Sequence, residues 1–271
     1  MRNTVLCTAL AALLLFFSSA GAHAAETNAA LKAQVETVLR EHPDMLMNIL
    51  REHGEELYGI IREASQQAQQ KAILAQREKI VAQWKIDLNE PKSVTLKDRI
   101  IRGNADAPVT IVAFSDFTCP YCEQAAQVVT ALLKHYGPTV RLIFKNTPLA
   151  SHASARTAAE YFVAAARQSP QKAWQLYDTF FANRAAVTEE GAPFLRKAAA
   201  DAGLDMERLA KDMQSPAVQE SIDQDVKDAQ ALGFKGTPYF LVNNIVIRGA
   251  LPFDLFSEAV EMALERVNSG K

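Results

Sequence analysis

Apolar residues in the N-terminal third of the chain recur at helical spacing. From residue 29 to about residue 88 they return every three or four positions, a pattern that predicts helices and no strands. Pro43 suits the first turn of a helix, so we expect a short helix to end near Glu41 and a second to begin at Pro43. The motif Leu-Arg-Glu-His occurs at Leu39 and again at Leu50, which keeps its apolar positions on one slowly drifting stripe. This segment has an apolar face and no core of its own.

The pattern changes to a mixture of strands and helices after about residue 94. Short runs of β-branched and aromatic residues there predict strands, and the first two flank a helical stretch, which predicts a β-α-β unit with a parallel strand pair. A two-residue Asn-Asn turn predicts a hairpin near the C-terminus. The predicted order is β-α-β, a helical insert and β-β-α, with strands at 109–114, 140–144, 239–242 and 245–247, the insert at about 151–232 and a last helix at 253–267.

Residues 1–24 have the pattern of a signal peptide. Arg2 precedes an apolar run that ends in small residues at Ala22 and Ala24, and we expect cleavage after Ala24. A retained membrane anchor is the less favoured alternative, because the run is shorter than a spanning helix needs. Cys7 lies before most of the apolar run, where lipid modification after a signal is not expected. The sequence therefore predicts an exported, periplasmic protein.

Composition narrows the classes of function. The 271 residues include 29 Lys and Arg against 31 Asp and Glu, and this formal net charge of -2 lacks the basic surplus of a nucleic-acid-binding protein. The three cysteines are too few for a disulfide-stapled scaffold. Without the signal peptide only Cys119 and Cys122 remain, in an oxidising compartment. Any thiol chemistry is therefore local to one motif.

That motif, Cys119-Pro120-Tyr121-Cys122, directly follows a predicted strand and opens a predicted helix. Free N–H groups and the helix dipole at a helix N-terminus stabilise a thiolate, so the pKa of Cys119 should fall. Cys122 lies one turn further on the same face, within reach of a disulfide. We predict that Cys119 attacks and Cys122 resolves, that Pro120 and Tyr121 modulate the site, and that no cofactor is needed beyond the redox-active pair.

Three other uses of two cysteines compete with redox chemistry. A zinc site needs four ligands, and no second pair of Cys or His residues has matching spacing. A purely structural disulfide that closes so small a loop would restrict the unfolded chain little. Cu(I) held by two thiolates is chemically reasonable and stays open.

The sequence resembles the DsbA family of thiol–disulfide oxidoreductases, in the thioredoxin superfamily, over about residues 98–271. The resemblance rests on the run Phe114-Ser-Asp-Phe-Thr-Cys-Pro-Tyr-Cys122, on the helical insert and on Gly236-Thr237-Pro238 before the third predicted strand. It implies an α/β thioredoxin fold with a helical insertion, preceded by an α-helical N-terminal segment. It also implies that Pro238 is cis beside the two cysteines, and that Thr237 and Pro238 bind extended substrate backbone.

Two details resemble the isomerase-type and ScsC-like members of this family. They are Tyr121 with Thr237, and the helical segment ahead of the catalytic domain. The resemblance implies a disulfide isomerase that acts on cysteine-containing proteins, has a membrane redox partner, and assembles as a homo-oligomer that clusters its active sites. A DsbA-like dithiol oxidase is the alternative within this class, and a Cu(I)-binding or chaperone module is the alternative outside it.

The expected division into domains follows from the same family resemblance. We expect residues 25–93 to form a helical oligomerisation or stalk segment and residues 94–271 to form the catalytic domain. Two alternatives stay open for the helical segment, which could instead fold back on the catalytic domain or bind other proteins as a short helical array.

A few positions depart from the family pattern or lack an obvious role. Ala113 stands six residues before Cys119, where many relatives carry a glutamate that assists proton transfer, which puts that role in doubt here. Asp116 and Lys145 lie near strand ends and could influence the thiolate, but we expect solvated charges. His135 and His152 have no partner at catalytic or metal-ligand spacing, so we expect surface or capping residues.

Overall fold

The structure, a computed structural model, describes residues 30–270 and divides into a first compact unit that ends at Gln76 and a second that begins at Arg77. The predicted signal peptide, with Cys7, lies outside the described residues. Within residues 30–270, no helix is both long enough and apolar enough to cross a membrane.

The first unit is helical throughout its described part. Helix α1 covers the described residues 30–41, α2 spans Pro43–Glu52, and α3 begins at Gly54 and ends at Asp87. Pro43 occupies the start of α2, where a missing N–H is harmless, so the predicted helix break after Glu41 is confirmed. The large apolar side chains of this unit that are exposed are Leu31, Val35, Val38, Leu39, Met45, Leu46, Met47, Ile49, Leu50, Tyr58, Ile60, Ile61, Ile73 and Leu74.

The second unit starts inside α3, earlier than the boundary at residue 94 that the sequence predicted. Trp84 and Asp87, near the end of α3, are buried. The Trp84 indole donates a hydrogen bond to the carbonyl of Val246 (3.1 Å), and the Val246 N–H donates to a carboxylate oxygen of Asp87 (3.1 Å). The last turns of α3 therefore belong to the unit that carries the sheet.

A five-stranded mixed sheet forms the centre of the second unit, in the order β1-β3-β2-β4-β5. Its strands are β1 (Ile101–Gly103), β2 (Val109–Ser115), β3 (Val140–Asn146), β4 (Tyr239–Val242) and β5 (Ile245–Arg248). Strands β2 and β3 are parallel and joined by α4 (Pro120–Tyr136), while β4 is antiparallel to β2 and forms a hairpin with β5. The predicted β-α-β unit and hairpin are confirmed. The sequence analysis missed β1, a short antiparallel partner of β3 at the sheet edge.

The predicted helical insert is also present, between β3 and β4. Its helices are α5 (Ala155–Gln168), α6 (Pro170–Ala182), α7 (Arg184–Glu189), α8 (Ala192–Asp201), α9 (Met206–Met213) and α10 (Pro216–Ala231), and α11 (Phe253–Asn268) follows the hairpin. Serine, asparagine, aspartate and proline at the helix starts explain why the insert breaks where it does.

An aromatic cluster joins the insert to the sheet directly behind the cysteine motif. Phe117, which is 1% exposed, lies at its centre. Its ring centroid is 4.9 Å from that of Phe144 on β3 and 5.2 Å from that of Phe180 on α6. Aromatic contacts of this kind add to the burial of large apolar surface. The insert and the sheet therefore hold the segment between β2 and α4 from both sides.

Candidate active site

Cys119 is the N-cap residue of α4, and Pro120 occupies the first helical position, as predicted. The N–H groups of Cys122 and Glu123 both donate to the Cys119 carbonyl, at 3.1 Å each. Both cysteines are free thiols, with Cys119 4% and Cys122 1% exposed. The two thiols therefore share the first turn of α4, with Cys119 at its open end.

The surroundings of the two thiols shift their pKa values strongly in opposite directions. Hydrogen bonding from the Cys122 side chain, helped by Thr237 and by backbone N–H groups, lowers the pKa of Cys119 to about 5 although burial opposes this. Burial, reinforced by the neighbouring Cys119 sulfur, raises the pKa of Cys122 well above its ordinary value. Near neutral pH this arrangement gives one thiolate and one thiol, the pattern that an attacking and a resolving cysteine need.

The loop before β4 completes the site from a distant part of the sequence. The Thr237–Pro238 peptide bond is cis, as the family resemblance implied. The Cys119 sulfur lies 3.6 Å from the carbonyl oxygen of Thr237. The buried hydroxyl of Thr237 has no conventional partner in the described part of the chain, and its interaction with the sulfur contributes to the low pKa of Cys119. Pro238 is buried beside it in the chain.

Pro120 and Tyr121, the two residues between the cysteines, are both exposed. Tyr121 is the more notable because its side chain is 62% exposed while the cysteines on either side are buried. A large exposed aromatic ring provides contact area for a partner. The structure thus brings together all six residues that the sequence analysis predicted for the site, namely Cys119, Pro120, Tyr121, Cys122, Thr237 and Pro238.

The prediction that Asp116 is a solvated charge is wrong. Asp116 is 2% exposed, and its carboxylate accepts hydrogen bonds from the N–H and hydroxyl of Thr118 (2.8 and 2.6 Å) and from the N–H of Leu149 (3.0 Å). His152 is partly exposed, as a surface residue can be, but the expectation that it has no partner is wrong, because its Nδ1 lies 2.8 Å from the same carboxylate. His135, by contrast, is exposed and packs against Tyr136.

Lys145 is also not a solvated charge. It is fully buried at the end of β3, and its ammonium contacts carboxylates of Asp225 (2.7 Å) and Asp228 (2.8 Å) on α10. Arg99 donates to Asp225 as well, at 2.7 Å. Burial raises the pKa of Asp228, but the Lys145 ammonium and the Thr95 N–H outweigh it and hold that pKa below its usual value. This cluster ties β3 to the insert.

Neither of two further positions near the cysteines places an unpaired carboxylate beside the resolving thiol. Ala113 is buried on β2 opposite Phe144, so this position supplies no carboxylate to the resolving thiol. Glu123, directly after Cys122, is paired with Arg184 of α7 at 2.7 Å. Within residues 30–270, no three side chains of Cys, His, Asp or Glu form a group that could hold a metal ion.

A dithiol at the start of a helix, beside a cis-proline loop and on a mixed sheet, defines the class of thioredoxin-fold proteins with a Cys-x-x-Cys site. A family model described as Thioredoxin matches residues 95–262. The chain belongs to the thioredoxin family. The predicted α/β thioredoxin fold with a helical insertion and a preceding helical segment is confirmed.

Sequence relatives and solved structures are similar to the chain over different extents. It is 36% identical over 150 residues to the Na(+)/H(+) antiporter NhaA of Herminiimonas arsenicoxydans, a match that covers 55% of this chain and 23% of that protein. The chain spans about a quarter of the length of the curated relatives that it matches.

Among solved structures, a thioredoxin-like oxidoreductase from Silicibacter pomeroyi DSS-3 is 30% identical, with a TM-score of 0.55 over 62% of this chain and 94% of that one. The catalytic domain of ScsC from Proteus mirabilis is 19% identical, with a TM-score of 0.55 over 69% of this chain and 98% of that one, which shows the shared fold.

Proposed function

We propose that this protein is an exported thiol–disulfide oxidoreductase that acts on cysteine-containing proteins, most specifically as a disulfide isomerase. One observation carries the thiol–disulfide oxidoreductase proposal: two free thiols share the first turn of α4 beside the cis Thr237–Pro238 bond, in surroundings that lower the pKa of Cys119 and raise that of Cys122. Family membership and the 30% identical thioredoxin-like oxidoreductase support the same chemistry.

The reaction follows from this polarisation. The Cys119 thiolate attacks one sulfur of a substrate disulfide, a new S–S bond forms, and the other substrate sulfur leaves as a thiolate. In isomerisation, the freed substrate thiolate attacks another disulfide of the substrate and displaces a different substrate thiolate. That thiolate attacks the substrate sulfur of the mixed disulfide, forms a new substrate disulfide and expels Cys119 as a thiolate. The alternative outcome is reduction of the substrate disulfide. Cys122 loses its proton to solvent and attacks the Cys119 sulfur of the mixed disulfide, which releases the substrate thiolate and leaves a Cys119–Cys122 disulfide.

The surface around Cys119 binds the substrate. The Thr237 carbonyl beside the Cys119 sulfur is a hydrogen-bond acceptor for an extended peptide, and Pro238 fixes the direction of that loop. The exposed ring of Tyr121 supplies apolar contact on the other side. Sequestering substrate backbone at this position brings a substrate disulfide close to the nucleophile.

Whether isomerisation or oxidation dominates depends on the redox state in which a partner keeps the site. A low pKa of Cys119 stabilises the reduced form and makes the disulfide more oxidising, which also suits a DsbA-like oxidase. An isomerase must be kept reduced, and we expect a membrane redox partner to do this. The N-terminal helices favour isomerisation because they offer a means to cluster several active sites.

We propose that residues 25–93 supply this clustering by homo-oligomerisation. No residue of α2 is buried, and Leu46 and Ile49 on one face of it are 43% and 50% exposed. An apolar helix face of this length gains stability when it packs against matching helices. A second copy of the chain offers the same face, which suits a symmetric assembly.

The test is recovery of activity by a disulfide-scrambled enzyme, under mildly reducing conditions, with the mature chain 25–271. We expect reactivation by the wild type and none by Cys119→Ser. The double variant Leu46→Glu/Ile49→Glu should become monomeric in sedimentation and lose most reactivation, yet retain reduction of a simple disulfide. Asn48→Glu/Gln66→Glu adds the same charge away from the Leu46 and Ile49 positions and should behave like the wild type.

Two other results would replace the proposal. Rapid oxidation of a reduced substrate with no reshuffling, in oligomer and monomer alike, would identify a dithiol oxidase. Tight Cu(I) binding without turnover of any disulfide substrate would identify a metal-binding or chaperone module instead.

A further inference from the structure

The loop between β3 and α5 is tied to the segment that carries Cys119. The N–H of Thr147 donates to the carbonyl of Ser115 (2.8 Å), and the N–H of Leu149 donates to the carboxylate of Asp116 (3.0 Å). His152 Nδ1 then lies 2.8 Å from Asp116 Oδ2 and 3.0 Å from Thr118 Oγ1. The imidazole therefore contacts the side chains of Asp116 and Thr118, which lie three residues and one residue before Cys119.

Hydrogen-bond chemistry fixes which atom carries the proton. An ionised carboxylate only accepts, and Thr118 has already used its hydroxyl proton in the 2.6 Å bond to Asp116 Oδ1. Both neighbours of His152 Nδ1 can therefore act only as acceptors. Nδ1 must carry a hydrogen, which it shares between Asp116 and Thr118.

Asp116 in turn holds the turn that positions the nucleophile. Its Oδ1 accepts from the N–H of Thr118 (2.8 Å), and its main-chain carbonyl accepts from the N–H of Cys119 (3.2 Å). Asp116 and Thr118 are almost fully buried, while His152 is partly exposed, so the imidazole closes this network on its outer side. A carboxylate out of water needs each of its hydrogen-bond donors.

Building on the proposed function, we propose that His152 is a positioning residue for thiol–disulfide exchange: it orients Asp116 and Thr118, and through them the turn that presents Cys119 at the start of α4. His152 does not touch the sulfur. It acts because small changes in this turn misalign the N–H groups and side chains that stabilise the thiolate.

Other charged groups around this turn are already engaged. Arg184 reaches the Thr118 carbonyl at 3.5 Å, but its main partner is Glu123 at 2.7 Å. The network therefore holds Thr118 through its N–H and hydroxyl from the Asp116 and His152 side, and more weakly through its carbonyl from the insert. We expect the His152 side to dominate.

The test measures the rate of Cys119 alkylation against pH in the reduced mature chain, with the standard potential of the dithiol as a second readout. His152→Phe keeps an aromatic ring and removes the donor, and His152→Gln moves the amide away from the Nδ1 position. Both should raise the alkylation midpoint from about pH 5 by about one unit, which slows alkylation about tenfold below the midpoint, and should make the disulfide less oxidising.

His152→Asn keeps an N–H near the position of Nδ1 and should restore most of the wild-type profile. The matched control, His135→Phe, changes an exposed histidine at the far end of α4 and should leave the profile unchanged. An unshifted midpoint and potential in folded His152→Phe or His152→Gln would overturn the proposal. Failure of wild-type protein to reactivate the scrambled enzyme would refute the proposed function separately, because alkylation needs no substrate protein.

Discussion

The two compact units differ in how far they bury large apolar side chains. Ile49 in the first unit is 50% exposed, whereas Ile111 on β2 of the second unit is completely buried. The second unit closes a hydrophobic core from its own residues, and that core holds the dithiol in place. The first unit has an apolar stripe that its described residues leave largely uncovered. The difference teaches that the dithiol depends on the closed core of the second unit, whereas the first unit keeps an exposed apolar stripe, the surface on which the proposed self-association depends.

The largest effect on stability should come from the core of the second unit. Ile111→Ala removes a fully buried side chain at the centre of the sheet, and we expect it to lower the free energy of unfolding by about 2–5 kcal/mol. Tryptophan fluorescence during denaturation measures this directly, because Trp84 and Trp174 both lie in the second unit. A loss as small as that of a surface substitution would show that this core is not the source of stability.

The next largest effect should be a change of a few kcal/mol in the free energy of unfolding with pH, and it should appear only in the reduced protein. The pKa of Cys119 is about 5 in the folded state against 9 for an ordinary thiol, so its stabilisation is complete above about pH 9 and is lost as the pH falls through about 5. Denaturant midpoints of reduced and oxidised protein, compared between these limits, should diverge as the pH rises. Cys119→Ser should remove the divergence, and a persistent one would assign it to another group.

The smallest effect should come from Ile49→Ala. Alanine favours helix and the side chain is half exposed, so the unfolding of the second unit should change by less than about 0.5 kcal/mol. Self-association should weaken instead, as measured by sedimentation over a range of concentrations. A destabilisation as large as that of Ile111→Ala would mean that Ile49 supports the core after all, and would end the contrast between the units.

Local patterns were enough to predict most of the fold. Continuous apolar runs predicted β2 and β3, the Asn-Asn turn predicted the hairpin, and helical spacing predicted the insert. Strand β1 has three residues, too few for a periodicity to emerge. The end of the first unit was also missed, because α3 continues without a break from exposed turns to the buried Trp84.

The cysteine motif and its cis-proline loop were predictable because their residue types are distinctive. The buried charged residues could not be predicted from the sequence. Lys145 finds Asp225 and Asp228 on a helix about 80 residues later in the chain, and His152 meets Asp116 across the β-α-β unit. A single polar residue in a sequence most often lies in solvent, and only the fold shows which ones are paired.

The central claim is that Cys119 is a stable thiolate poised for exchange. Its most direct test is a pH titration of the ultraviolet thiolate absorbance of the reduced mature protein, with Cys119→Ser as the baseline. We predict one transition with a midpoint near pH 5 that is absent from the variant. A midpoint near the value of an ordinary thiol, about pH 9, would contradict the account.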